Sequence, residues 1–197
     1  MSQKIILAST SPRRKQLLEW AEIEFQIITH PTDEIVPENV PVEDVPVIIA
    51  REKALAVKEK VKLWSEGRTM EDIHYPILAA DTIVVLDTEI LGKPADREHA
   101  IEMLMKLQGR HHKVITGVVI LNSEKEIAFS DTTDVEFHPL TEAQVTFYVD
   151  RYQPYDKAGA YAIQEWIGVV GIKTVSGDFY NVMGLPVSRV VRALGEL

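Results

Sequence analysis

An apolar run with a carboxylate inside it constrains the fold of this chain more than any other feature. Residues 76–85 read Pro-Ile-Leu-Ala-Ala-Asp-Thr-Ile-Val-Val, so Asp81 and Thr82 interrupt an otherwise hydrophobic segment. Such a run is typical of a strand that is buried on both faces in the centre of an α/β sheet. A buried carboxylate carries a desolvation penalty unless it is paired or binds a metal ion. Asp81 is therefore a candidate functional residue, and an acid satisfied by a lysine or by backbone amides is the structural alternative.

Strand and helix patterns alternate along the rest of the chain. We predict strands at 4–8, 24–29, 89–91, 113–121 and 127–137, and helices at 12–21, 45–64, 96–107, 141–151 and from about 186 onward. Connections of both the crossover and the hairpin type indicate an α/β fold with a mixed central sheet flanked by helices. We expect a single domain over residues 1–197, built as two lobes with a cleft, and an exposed acidic loop at 30–46.

Composition and charge exclude several classes of function. The formal net charge is −9, which argues against a nucleic-acid polymer as partner but leaves room for a small phosphate ligand in a basic cleft. The chain has no cysteine, so disulfides and thiol catalysis are excluded. No apolar segment has the length of a secretory signal or a membrane span, and we therefore expect a cytoplasmic protein that does not bind a membrane.

A turn rich in hydroxyl and guanidinium groups follows the first predicted strand. Residues 9–14 read Ser-Thr-Ser-Pro-Arg-Arg, with Ser11 as the expected N-cap of a helix. The start of a helix offers backbone N–H groups and a favourable dipole to an anion, and Ser9 lies in the same turn. Arg13 and Arg14 could add bidentate contacts to phosphate oxygens. A capped helix with two solvated arginines is the structural alternative.

Further polar residues are candidates, each with an ordinary structural explanation. Glu34 lies in the acidic loop, where most carboxylates are solvated. Lys53 and Lys93 could contact a ligand, although lysine usually extends its ammonium group to water. Gln164 ends a tract of small residues, 155–164, and its amide could read a base.

Other catalytic arrangements are not supported. His111 and His112 are adjacent, so on a strand they point to opposite faces and make a poor metal-binding pair. The sequence has no G-x-S-x-G elbow and no phosphate loop ending in G-K-[ST], and no strand leads into a G-x-G-x-x-G turn.

Taken together and in order, the motifs closely resemble the Maf family of nucleotide pyrophosphatases. The residues that carry the resemblance are Ala8-Ser9-x-Ser11-Pro12-Arg13-Arg14, Asp33-Glu34, Ala50-Arg51-Glu52-Lys53-Ala54, Ala80-Asp81-Thr82, Gly92-Lys93-Pro94, Tyr155-Asp156-Lys157-Ala158-Gly159-Ala160-Tyr161 with Gln164, and Asn181-Val182-x-Gly184-Leu185-Pro186. The resemblance covers almost the entire chain. It implies a fold similar to that of inosine triphosphate pyrophosphatases.

The resemblance also implies an activity and a set of site residues. It implies an enzyme that hydrolyses nucleoside triphosphates to a monophosphate and pyrophosphate, with a polar cleft that contains Ser9, Arg13, Arg14, Glu34, Lys53 and Lys93. On this basis we predict a divalent cation, Mg²⁺ or Mn²⁺, with Glu34 and Asp81 as its ligands. We further predict Asp81, Lys53 and Glu34 as catalytic residues and Ser9, Ser11, Arg13, Arg14 and Lys93 as substrate-binding residues. Asp81 matches the proton acceptor, and its role as base, metal ligand or both stays open.

Three positions are implied to set specificity. Arg13, Thr82 and Gln164 match the branch that is similar to dTTP/UTP pyrophosphatases, so we expect hydrolysis of dTTP, UTP and modified pyrimidine nucleotides. The alternatives are a 7-methyl-GTP pyrophosphatase, a nucleotide-binding regulator of cell division or septum formation, and a phosphatase that releases orthophosphate. The resemblance further implies a homodimer.

Overall fold

The computed structural model describes residues 4–33, 40–65 and 75–197. Its strands are β1 (Ile5–Leu7), β2 (Phe25–Ile27), β3 (Ile77–Leu86), β4 (Glu89–Leu91), β5 (His111–Leu121), β6 (Glu126–Phe137) and β7 (Ile172–Ser176). Its helices are α1 (Pro12–Trp20), α2 (Val45–Ser65), α3 (Arg97–Leu107), α4 (Glu142–Tyr152), α5 (Trp166–Gly171), α6 (Phe179–Met183) and α7 (Val187–Leu194), with a short 3₁₀ turn at Ala158–Ala160. None of the described helices has the length and apolar character that crossing a membrane requires.

The described strands form one mixed sheet. Its order is β2-β1-β3-β5-β6-β7, with β4 paired to β3. Strands β2, β1 and β3 run parallel, whereas β4 is antiparallel to β3 and β7 is antiparallel to β6. The predicted α/β fold with a mixed sheet is confirmed, and the strand predicted at 24–29 is shorter than expected.

The interrupted apolar run forms the long strand β3. The four residues on either side of Asp81-Thr82 are buried, while these two are only partly so. The polar interruption therefore coincides with a local opening in an otherwise enclosed strand. The carboxylate meets less desolvation there than the flanking positions would impose.

One stripe of α2 packs on the parallel strands. Ala50, Ala54, Val57 and Val61 are buried against residues of β1, β3 and β5, as the helical spacing of these apolar residues predicts. Two alanines in the stripe let the helix approach the sheet closely. The position between them, Lys53, is held near β3 as a result.

The helix caps predicted from the sequence are observed, with one exception. Asp96 accepts a hydrogen bond from the His99 backbone, and Thr141 forms a capping box with Gln144. Ser11 occupies the N-cap position of α1 without a capping bond from its side chain. Its backbone N–H instead donates to Ser9 Oγ at 3.2 Å, so the polar groups of this turn bond to one another.

The chain divides into two compact units. The first combines Met1–Asp81, Thr116–Asp131 and Gly184–Leu197, and the second combines Thr82–Ile115 and Thr132–Met183. The boundary on β3 falls between the two polar residues of the strand. The expected cleft stays a prediction.

Candidate active site

Lys53 and Asp81 form an ion pair in the first unit. The distance from Lys53 Nζ to Asp81 Oδ1 is 2.6 Å, and the two side chains are only 16% and 14% exposed. Two residues that were predicted separately, one on α2 and one on β3, are thus brought into contact. A lysine that satisfies a buried acid is also the structural alternative, so the pair is compatible with catalysis and with a purely structural role.

The turn between β1 and α1 is organised by Arg14. Its guanidinium donates from Nε to the Gly184 carbonyl at 2.8 Å and from an Nη atom to Ser9 Oγ at 3.2 Å. Arg14 is 9% exposed, so the structural alternative of two solvated arginines does not hold for this residue. Arg13 is partly exposed. The two neighbouring arginines therefore have different surroundings, and Arg14 fixes the hydroxyl of Ser9.

The second unit gathers the segments that carry Thr82, Lys93 and Gln164. At the 3₁₀ turn, the Gly159 N–H donates to the Gly92 carbonyl at 3.0 Å. Gly159 has a φ of +67°, and a Cβ there would lie 2.9 Å from a methyl group of Val84. Glycine allows both the left-handed conformation and the close packing on β3. The small-residue tract thus packs against β3 and against the residue that precedes Lys93.

Gln164 lies on a tight turn before α5. The Glu165 N–H donates to the Ala162 carbonyl at 3.1 Å, and Gln164 is exposed although residues 160–163 are buried. A Cβ at Gly168 would lie 1.7 Å from the Ile163 carbonyl oxygen, so only glycine permits this geometry. The fold therefore presents the Gln164 side chain at the surface of the second unit from a firmly held backbone.

A buried hydrogen-bond network supports this turn. The Tyr148 hydroxyl accepts from the Ala162 N–H at 3.2 Å and donates to the Glu165 carboxylate. Lys157 Nζ lies 3.7 Å from the same carboxylate and 2.7 Å from Asp156 Oδ1. Sequence reasoning missed the roles of Tyr148 and Glu165. A tyrosine on the apolar face of an amphipathic helix has the pattern of any core aromatic, so the sequence carries no separate signal.

His112 is a second buried polar group in this unit. Its Nε2 lies 2.8 Å from the Tyr161 hydroxyl, and its ring packs edge-on against Phe137. Burial, with a smaller contribution from His111, lowers the pKa of His112 to about 4, and burial raises the pKa of Tyr161 above its usual range. The imidazole is therefore neutral near pH 7 and is a core residue. His111 is exposed beside Glu136, so the two histidines have opposite environments, as expected for adjacent strand positions.

The predicted metal site is only partly covered by the described residues. Glu34, predicted as a catalytic residue and metal ligand, lies outside the described residues. Within residues 4–33, 40–65 and 75–197, no three His, Asp or Glu side chains converge as a metal centre would need. Ser11 and Lys93 are described, the first partly buried and the second exposed.

Comparison of the sequence with known proteins finds one family match and relatives that share one name. The family described as "Maf-like protein" matches residues 4–197. A dTTP/UTP pyrophosphatase of Cytophaga hutchinsonii is 47% identical over 196 residues, covering 98% of this chain and 84% of the relative. Proteins of the same name from Bacteroides thetaiotaomicron and Porphyromonas gingivalis are 44% and 46% identical, each covering 98% of this chain and 96% and 94% of the relative.

Part of this chain also aligns with a solved structure. The Ham1 protein of Staphylococcus aureus matches with a TM-score of 0.38 and 15% sequence identity, covering 68% of this chain and 72% of that one.

Proposed function

The chain belongs to the Maf-like protein family, and on that premise we propose that it hydrolyses dTTP and UTP, and modified pyrimidine nucleotides, to the monophosphate and pyrophosphate. Relatives that carry the name dTTP/UTP pyrophosphatase match nearly the whole chain. The structural observation that carries the proposal is the Lys53–Asp81 ion pair. It supplies an oriented carboxylate and a cation at the polar interruption of β3.

The triphosphate would be held by the turn before α1 and by cationic side chains. Ser9 and Ser11 belong to this turn and Arg13 lies in the first turn of α1, where the helix dipole suits an anion. Arg14 would act mainly by fixing Ser9, because its guanidinium already bonds to that hydroxyl and to a carbonyl. Lys93 would neutralise charge on the leaving pyrophosphate.

Asp81 is proposed as the general base. A water molecule attacks the α-phosphorus, its proton passes to the Asp81 carboxylate, and a new P–O bond forms. The bond from the α-phosphorus to the bridging oxygen breaks, and pyrophosphate leaves with that oxygen. Lys53 would hold the carboxylate in orientation through the 2.6 Å contact.

A divalent cation, Mg²⁺ or Mn²⁺, is proposed as cofactor. Mg²⁺ in nucleotide sites is usually held by one or two carboxylates together with substrate phosphates, so it does not require a three-ligand protein cluster. The Asp81 carboxylate fits as one such ligand, and Glu34 is proposed as another. When bound, the ion supplies charge neutralisation on the phosphates and lowers the pKa of a bound water.

Specificity is proposed to lie in Arg13, Thr82 and Gln164. The Gln164 amide has both a donor and an acceptor, which suits the pyrimidine edge of thymine and uracil. A pocket whose polar groups pair with one base rejects a base that leaves them unpaired. A homodimer is proposed from the family resemblance alone, and the cytoplasmic location stays a prediction from the sequence.

A product assay tests the proposal. Purified protein is incubated with Mg²⁺ or Mn²⁺ and separately with dTTP, UTP, CTP, GTP and 7-methyl-GTP, and the products are resolved. The expected products are dTMP or UMP with pyrophosphate, and the Asp81→Asn variant serves as the control for contaminating activity. Turnover of 7-methyl-GTP alone would overturn the specificity, and orthophosphate as the primary product would overturn the reaction. A folded protein that turns over no nucleotide would favour a binding protein that regulates cell division.

A further inference from the structure

We propose that Tyr148 is a positioning residue for base recognition, acting through the turn that presents Gln164. The inference rests on the proposed function, in which Gln164 contacts the pyrimidine. Tyr148 itself is completely buried on α4 and does not touch the substrate in this proposal. Its role would be to fix the backbone from which Gln164 extends.

The position of the Tyr148 hydroxyl carries the argument. It accepts a hydrogen bond from the Ala162 N–H, two residues before Gln164, and donates one to the carboxylate of Glu165, the residue after it. A single oxygen atom thus holds the chain on both sides of Gln164. A phenylalanine at this position would keep the packing of the aromatic ring but would lack both hydrogen bonds.

The charge of Glu165 is satisfied within the same network. Lys157 Nζ lies 3.7 Å from Glu165 Oε1, and Lys157 is itself only 9% exposed. A half-buried carboxylate with a nearby ammonium and a phenol donor has its orientation well determined. Glu165 is also the N-cap residue of α5, so the network links the turn to the start of that helix.

The turn has little freedom to adjust if the hydroxyl is lost. The residues before Gln164 are buried, and the Gly168 backbone leaves no room for even a Cβ beside the Ile163 carbonyl. Any shift of the Ala162–Glu165 backbone would therefore displace the Gln164 side-chain amide together with it. Small displacements of a positioning group reduce recognition strongly, because hydrogen bonds depend steeply on distance and angle.

The test compares two tyrosine-to-phenylalanine variants on the same helix. Tyr148→Phe removes the bridging hydroxyl and keeps the ring. Tyr152 stacks on Tyr148 with ring centroids 5.0 Å apart, and within the described residues its hydroxyl has no hydrogen-bond partner. Tyr152→Phe is therefore the matched control. Steady-state kinetics with dTTP and CTP give the discrimination ratio, kcat/KM for dTTP divided by kcat/KM for CTP.

The expected result is a selective loss of discrimination. Tyr148→Phe should lower the ratio about tenfold, which is the loss expected for one misplaced hydrogen bond. The change should come mainly from a higher KM for dTTP, while kcat changes less than about twofold. Tyr152→Phe should leave the ratio within about twofold of wild type. A merely structural role would lower the folded fraction and reduce kcat for both nucleotides equally, leaving the ratio unchanged.

An unchanged ratio in a folded Tyr148→Phe variant would overturn the inference while the proposed function stands. If that variant does not fold, Glu165→Ala is measured instead. It removes the oxygen that accepts from the Tyr148 hydroxyl, and it should lower the same ratio, or the inference is wrong. Wild-type protein that does not turn over dTTP would overturn the proposed function first, and the inference with it.

Discussion

Replacing Lys53 by methionine should destabilise the protein far more than the same change at an exposed lysine. The substitution keeps most of the aliphatic length of the side chain and removes the ammonium group that pairs with Asp81. Breaking a fully buried ion pair costs about 3–5 kcal/mol, whereas exposed pairs contribute about 0.2–1 kcal/mol. The side chains of Lys53 and Asp81 are only 16% and 14% exposed, so the cost of breaking this pair lies nearer the value for a buried pair than that for an exposed one. We expect a loss of about 2–3 kcal/mol in the free energy of unfolding.

The chain offers a matched control for this substitution. Lys15 and Glu19 form an exposed pair on α1, 3.7 Å apart, with side chains 52% and 53% exposed. Lys15→Met should change the free energy of unfolding by less than about 0.5 kcal/mol. Both variants carry the same chemical change, so the difference between them isolates the surroundings of Lys53.

Urea unfolding followed by far-UV circular dichroism gives both values. The Lys53→Met/Asp81→Asn double variant completes a cycle, and the loss in the double variant should be smaller than the sum of the two single losses by about 1 kcal/mol or more. Additive losses would show that the two groups do not interact in solution. A Lys53→Met variant as stable as Lys15→Met would refute the reasoning from burial.

Three further predictions follow from the structure. Asp81→Asn should lower kcat on dTTP by about 10²–10⁴-fold, the usual contribution of a general base, while the protein remains folded by circular dichroism. Because the folded pKa of His112 is about 4 against 6.5 for an ordinary histidine, the unfolded state binds more protons between these values. Stability should therefore fall by about 2–3 kcal/mol as the pH drops from about 7 to about 4.5, and His112→Gln should remove that contribution. Gly168→Ala should cost about 2 kcal/mol or more, since its Cβ would meet the Ile163 carbonyl at 1.7 Å, whereas Gly92→Ala, with nothing within 4 Å, should cost less than about 1 kcal/mol.

Each of these has a clear contrary outcome. Near-normal turnover by Asp81→Asn would remove that residue from the mechanism. Equal acid sensitivity of wild type and His112→Gln would assign the pH dependence to other groups. Equal stability of the two alanine variants would show that the turn before α5 is looser than its geometry indicates.

The central strand was predictable because its signal is strong and local. A continuous apolar run around Asp81 permits few structures other than a buried strand, and β3 has the predicted position in the sheet. The spacing of apolar residues on α2 is equally local and gave the correct helix. The family assignment from ordered motifs is confirmed by the match over residues 4–197.

The partners of the polar residues were not predictable, since they depend on tertiary contacts. Nothing in the sequence distinguishes Arg13 from Arg14, yet the second is buried because the Gly184 carbonyl lies within reach of its guanidinium. The link between Lys53 and Asp81 joins positions 28 residues apart and needs the packing of α2 on the sheet. The roles of the individual site residues, Glu34 included, stay predictions.

Hydrolysis of dTTP in water enriched in ¹⁸O tests the central claim most directly. The proposed attack at the α-phosphorus places the oxygen of water in the monophosphate. Mass spectrometry of the separated products should therefore find one ¹⁸O atom in dTMP and none in pyrophosphate. Label in pyrophosphate, with unlabelled dTMP, would mean attack at the β-phosphorus and would contradict the mechanism.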